Sequence, residues 1–214
     1  CASPNGNGQG GIWMSNAGPA VDSAGNIYFI TGNGPFDNNA GEYGDSIVKL
    51  SPGGVVLDYF TPYNQESLAA ADLDLGSSGV LLLPDQPGAH PHLVVNAGKE
   101  GTIYLVDRDS MGHFYPADNS RIVQALPNSF PSGGILQGNF NAPVYFNGTV
   151  YFSAVADPVK AFQLSNGLLS TMPTSQASAV FDYPGGALAI SATGSANGIL
   201  WAVERTGVLH AYNP

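Results

Sequence analysis

The sequence predicts an all-β chain, a β-propeller of four-stranded antiparallel blades, and three observations carry that expectation. The 214 residues include 28 Gly and 16 Pro against only 10% charged residues, the composition of short strands joined by tight turns. The apolar runs are brief and rich in Val, Ile, Tyr and Phe, with no long amphipathic stretch that would mark a major helix. An apolar strand, a turn and a second apolar strand then recur four times along the chain.

The repeats follow in order. NIYFITGN pairs with DSIVKLSPGG, and HLVVNAGKE with GTIYLVDRDSMG. GTVYFSAVAD pairs with PVKAFQLSNG, and GILWAVERTG with VLHAYNP. Ile47, Ile103, Val159 and Val208 are equivalent points spaced 56, 56 and 49 residues apart, near the length of one propeller blade. Each repeat is preceded by a further short strand (GPAVDS, SGVLLLP, NAPVYF, ALAISAT), and the first three are followed by another, such as VVLDYFTP. About three and three-quarter blades are therefore expected, over residues 12–63, 64–132, 133–182 and 183–214 of a single partial domain. Asn147-Gly148, and Asn26 just after Ala24-Gly25, stand where two-residue hairpin turns need positive φ.

Charge and hydropathy exclude several roles. A net charge of −10 argues against nucleic acid, whose binding needs Lys and Arg against phosphates. No apolar run reaches the roughly 18 residues of a membrane span. Cys1, the single cysteine, has no partner for an internal disulfide. An open arc would leave blade faces in water, and CASPNGNGQGG holds no β-rich run to close it, so the chain is expected to be part of a longer protein whose remaining blades are its nearest partners.

Four segments, in family order, resemble the quinoprotein alcohol dehydrogenases, propeller enzymes that use pyrroloquinoline quinone (PQQ) and calcium. NAGKEGTIYLVDRDSMG is similar to their AGKxGxxYVLDRxTG, and GGIWMSNAGPAVDSAGNIYFITGN to their GG-x-x-W…AVD…G-x-x-YFGTGN. GDSIVKL is similar to GDN…SIVALD, and TPYNQESLAAADLDLGSSGVLLLP to TPHDxWDYD followed by an apolar strand. The resemblance implies that Trp13 stacks under the quinone, where an indole face suits a flat conjugated ring. It implies that Asn33 and Asp72 contribute to a calcium site, an amide or carboxylate oxygen suiting a hard cation. Asp72 would be the base that takes the proton of a small alcohol or sugar, Asp74 aligns with the acid two residues on, and Lys99 would hold the quinone oxygens as they gain charge. A periplasmic or extracellular location follows from the same resemblance.

The departures are as specific as the matches. The His, Asp and Trp of TPHDxW are replaced in TPYNQESLAAA, and the family's calcium-ligand Glu and paired Cys belong to blades upstream of these residues. The resemblance covers about residues 10–112, and the later repeats match only as generic blades. A non-catalytic secreted propeller for binding or scaffolding is therefore the alternative reading.

Ordinary structural roles are available for most of these residues. Trp13 can pack between blades, Asn33 can serve a turn, Asp72 and Asp74 can be solvated loop acids, and Lys99-Glu100 can keep a hairpin tip soluble. Arg108, between Asp107 and Asp109, is expected to form structural pairs at the blade edge and is not assigned to a site. His90 and His92 read as a solvated loop, and Ser77-Ser78 lack the context of a hydrolase nucleophile.

Overall fold

The computed structural model describes residues 9–214; Cys1 and most of the Gly/Asn-rich opening lie outside the described residues. The first sheet is built from β1 (Ala20–Val21), β2 (Ile27–Ile30), β5 (Ile47–Leu50) and β6 (Val56–Thr61), with β3 (Phe36–Asp37) and β4 (Glu42–Tyr43) forming a small ribbon between β2 and β5. A short helix α1 (Gln65–Ala70) and a 3-10 turn at Leu75–Ser77 lead into the second sheet. That sheet orders β7 (Leu81–Leu82), β8 (Leu93–Ala97), β9 (Ile103–Asp107) and β11 (Gln124–Leu126), while β10 (His113–Phe114) crosses back to pair in parallel with β6. The third sheet holds β12 (Val144–Phe146), β13 (Thr149–Ser153), β14 (Asp157–Ser165), β15 (Leu168–Leu169) and β16 (Ser175–Phe181). The fourth has three strands, β17 (Ala187–Thr193), β18 (Ala196–Val203) and β19 (Leu209–Tyr212).

Period-two alternation explains why these sheets stack. In the second sheet Val94, Tyr104 and Val106 point one way and join Tyr28, Ile30, Ile47 and Phe60 of the first sheet in one core. Their neighbours Leu93, Val95, Ile103 and Leu105 point the other way and meet Val150, Phe152, Phe162 and Leu164 of the third. Tyr151, Val159, Ala161 and Phe181 on the third sheet's far face close on Leu200 and Ala202 of the fourth. Strands buried on both faces are largely apolar, as β8 and β9 are apart from Asn96 and Asp107. Each fully buried Leu or Phe contributes about 2 kcal/mol to this stacking.

Two faces end the stack. Beyond the first sheet Ile27, Phe29, Val48, Leu50 and Val56 line an apolar groove of about 550 Å³. On the fourth sheet Ile199, Val203 and Leu209 remain exposed.

The turns differ in detail from the sequence reading. Asn147 and Gly148 take positive φ (46° and 82°) as the two-residue turn requires, whereas at the first hairpin Gly25 (84°) does so and Asn26 does not. There Asp22 Oδ1 accepts from the Ala24 and Asn26 amides, so the carboxylate organises the turn.

Candidate functional site

Asn33, Asp72, Asp74 and Lys99 are carried by three neighbouring segments at one end of the first two sheets, and Trp13 reaches the same place from the stretch before β1. The first is Thr31-Gly32-Asn33, immediately after β2. The second is the connection between the sheets, whose geometry is set by the end of α1. Leu73 N–H donates to Leu68 O at 3.0 Å and Asp72 N–H to Ala69 O at 3.5 Å, the two bonds of a Schellman stop. Asp72 occupies the left-handed position (φ 56°) that glycine usually fills, and Asp can adopt it. The third segment is the turn between β8 and β9, which carries Lys99.

Lys99 is not the soluble tip of a hairpin; it is 5% exposed. Its Nζ donates to Asp74 Oδ2 at 2.5 Å, to the Asp72 main-chain oxygen at 3.0 Å and to Asp72 Oδ2 at 3.3 Å. Nor is Asp74 a solvated acid: its Oδ2 faces the ammonium, its Oδ1 accepts from the Asn33 amide at 2.8 Å, and the residue is 6% exposed. Asp72 keeps a side chain 55% exposed, and its Oδ1 accepts from Asn33 Nδ2 at 2.7 Å. Asn33 Oδ1 is buried without a hydrogen-bond partner.

Aromatic rings cover the ammonium. The Trp13 ring centroid lies 5.6 Å from Lys99 Nζ and that of Phe140 6.0 Å, the two rings being tilted by 51° at 6.2 Å. Trp13, 43% exposed, forms the outer cover of the site. Gly32 makes this approach feasible, because a Cβ there would come within 2.5 Å of Asp74 Oδ1 and 2.8 Å of Trp13 Nε1. Trp13, Asn33, Asp72 and Lys99 thus occupy one neighbourhood.

Two participants carried no sequence signal of their own. Phe140 comes from the connection between the second and third sheets. Asp45, inside the quoted GDSIVKL, is fully buried; its Oδ1 accepts from the Leu75 amide at 2.9 Å, and its Oδ2 has no hydrogen-bond partner. Burial pushes its carboxyl up to about 7, and the charge of Asp74 adds to the rise, while the Leu75 N–H opposes it.

This arrangement can be tested against the groups the resemblance implies. An ammonium has three N–H donors, and Lys99 directs its donors at three protein oxygens, leaving none to offer a quinone oxygen. The carboxylates of Asp72 and Asp74, the oxygens that would suit calcium, face that ammonium, and a divalent cation placed among them would meet a fixed positive charge. Among the described residues no group of three or more His, Cys, Asp or Glu is arranged to hold a metal. With Lys99 where it stands, the donor set fits neither PQQ nor calcium.

The other residues weighed from the sequence lie elsewhere. Arg108 does not pair with Asp107 and Asp109. Its Nη1 lies 3.9 Å from Asp22 and its guanidinium stacks 5.7 Å from the Tyr28 ring, joining the first two sheets at the end opposite Lys99. Asp107 and Asp109 bond instead to His90 and His92, each at 2.7 Å. Ser77 and Ser78 are buried and donate to the Asn139 and Ala97 carbonyls, a packing role.

Successive antiparallel meanders packed face on face define this chain as an array of β-propeller blades. No family model and no curated protein matches the sequence. Among solved structures it is similar to BamB from Moraxella catarrhalis, with a TM-score of 0.45 and 12% identity, over 91% of this chain and 50% of that one. The chain thus spans about half the length of that protein.

Proposed function

We propose that the chain is part of a non-catalytic β-propeller of the PQQ-like repeat class, acting in binding or scaffolding, whose quinone-like pocket is filled from within. The observation that carries this reading is the saturation of Lys99 Nζ by Asp74 Oδ2, Asp72 Oδ2 and the Asp72 carbonyl oxygen. The absence of TPHDxW from the sequence agrees with it. On this reading the apolar end faces meet further blades of a longer periplasmic or extracellular protein.

A second reading, a PQQ- and calcium-dependent dehydrogenase of small alcohols or sugars, draws support from the convergence of Trp13, Asn33, Asp72 and Lys99. PQQ when bound would supply the hydride acceptor, and Asp72, more than half exposed, would take the hydroxyl proton. Dye-linked oxidation of primary alcohols and aldoses, with PQQ and calcium added to the purified chain, tests the choice. No turnover above the protein-free control is expected; turnover abolished by Asp72→Asn would overturn the non-catalytic reading.

A further inference from the structure

We propose that the cleft around Arg108, at the end of the first two blades opposite Lys99, binds a small monovalent carboxylate through Arg108 and Lys49. The cleft is separate from the quinone-like pocket and shares no residue with it.

A buried guanidinium with an unfilled donor is the observation that points to a ligand. Arg108 is 8% exposed, and its Nε is buried without a hydrogen-bond partner. A guanidinium carries five N–H donors, and leaving one buried and unpaired is costly. Among the described residues the nearest carboxylate oxygen, Asp22 Oδ2, lies 3.9 Å from Nη1, beyond hydrogen-bond reach. Nor is Asp22 at liberty to turn toward it. Its Oδ1 accepts from the Ala24 and Asn26 amides, and its Oδ2 from Asn26 Nδ2 at 2.9 Å and the Tyr28 hydroxyl at 3.0 Å.

Lys49 brings a second cation to the same place. Its Nζ donates to the Arg108 main-chain oxygen at 2.7 Å, a bond that uses one of its three donors. Lys49 Nζ and Arg108 Cζ each lie 5.7 Å from the centroid of the Tyr28 ring. Both side chains line an open cleft of about 570 Å³ together with Asp85, His92 and Asp109.

The charges around the cleft select the ligand. A carboxylate matches the planar fork of a guanidinium in two parallel hydrogen bonds. Asp109 is held by His92 at 2.7 Å with its side chain 55% exposed, and that of Asp85 is 77% exposed. Water screens these two acids, so a single negative charge beside Arg108 and Lys49 is favoured. A dianion such as phosphate would meet twice the repulsion from Asp22, Asp85 and Asp109.

The test is heteronuclear NMR titration of the full chain with sodium acetate, at an ionic strength held constant with sodium chloride. The arginines are Arg108, Arg121 and Arg205, and the Arg108 Nε–H resonance is identified by its cross-peak to the Tyr28 ring. That resonance is expected to move saturably, with half-saturation at about 1–10 mM acetate, while those of Arg121 and Arg205 stay in place. Lys49→Met should weaken acetate about tenfold. Arg108→Lys, which keeps the charge without the fork, should weaken it by a similar factor, read at the Tyr28 ring resonances. If Arg108→Lys does not fold, the parent and Lys49→Met decide. An Arg108 resonance that does not saturate, that moves in step with Arg121 and Arg205, or that responds more tightly to sodium phosphate than to acetate would overturn the proposal. Acetate binding unchanged in Lys49→Met would overturn it as well.

Discussion

Lys99 Nζ and Asp74 Oδ2 lie 2.5 Å apart with both side chains under a tenth exposed, a buried ion pair between the hairpin turn of the second blade and the connection that precedes it. Such a pair is costly to break from one side, because the remaining charge stays in a poorly solvated place. Lys99→Met and Asp74→Asn are each expected to lower unfolding free energy by about 3 kcal/mol. Asp72→Asn, at an exposed partner, should cost under about 1 kcal/mol. Urea denaturation followed by near-UV circular dichroism checks this ranking, and equal losses at Asp72 and Asp74 would contradict it.

Asp45 gives the pocket a pH dependence of defined sign. An unfolded aspartate ionises near 3.9, whereas burial pushes folded Asp45 up to about 7. Between those values the folded chain holds a proton that the unfolded chain has lost. Its contribution therefore falls as pH rises from about 4 to about 7, by about 1.4 kcal/mol per pH unit across that window, and is fully lost above it. Asp45→Asn keeps an acceptor for the Leu75 amide and tolerates the left-handed φ of 48°. Its stability relative to the parent should rise from pH 4 to 7 and level off, measured as the difference in urea midpoints. A difference that does not change with pH would refute this assignment.

Gly98 holds the Lys99 turn against the interblade connection. A Cβ there would meet the Asp74 carbonyl oxygen at 2.6 Å and Leu75 Cα at 2.8 Å, both backbone atoms that cannot step aside. Gly98→Ala should therefore lower stability by about 1–3 kcal/mol and raise the exposure of Trp13, read as a red shift in its emission. The helix-forming advantage of Ala is irrelevant in this turn, so a neutral or stabilising outcome would speak against the packing described.

The blades were legible in the sequence because strands buried on two faces announce themselves as short apolar runs, and their pairing needs only adjacent turns. Ile47, Ile103 and Val159, equivalent by spacing, do occupy the third strand of their sheets. The parallel addition of His113–Phe114 to the first sheet was not legible, since two residues in a long loop carry no period. The burial of Lys99 was hidden for a different reason. A Lys-Glu pair in a glycine-flanked turn has the local character of a solvent-exposed tip, and the aspartates that enclose the ammonium lie 25 and 27 residues away. The structural role of Arg108 was legible, but its partner was not: Asp22 lies far off in sequence, and the flanking acids are claimed by His90 and His92 from the preceding loop.

The most direct test of the central claim, that Lys99 fills the quinone-like pocket from within, is equilibrium titration of the chain with PQQ in saturating calcium. Trp201→Phe leaves Trp13 as the single indole, so quenching of its emission reports on the pocket alone. No saturable quenching is expected at micromolar PQQ. Saturable quenching in that range, weakened tenfold or more by Lys99→Met, would show that Lys99 turns to a quinone rather than to Asp72 and Asp74.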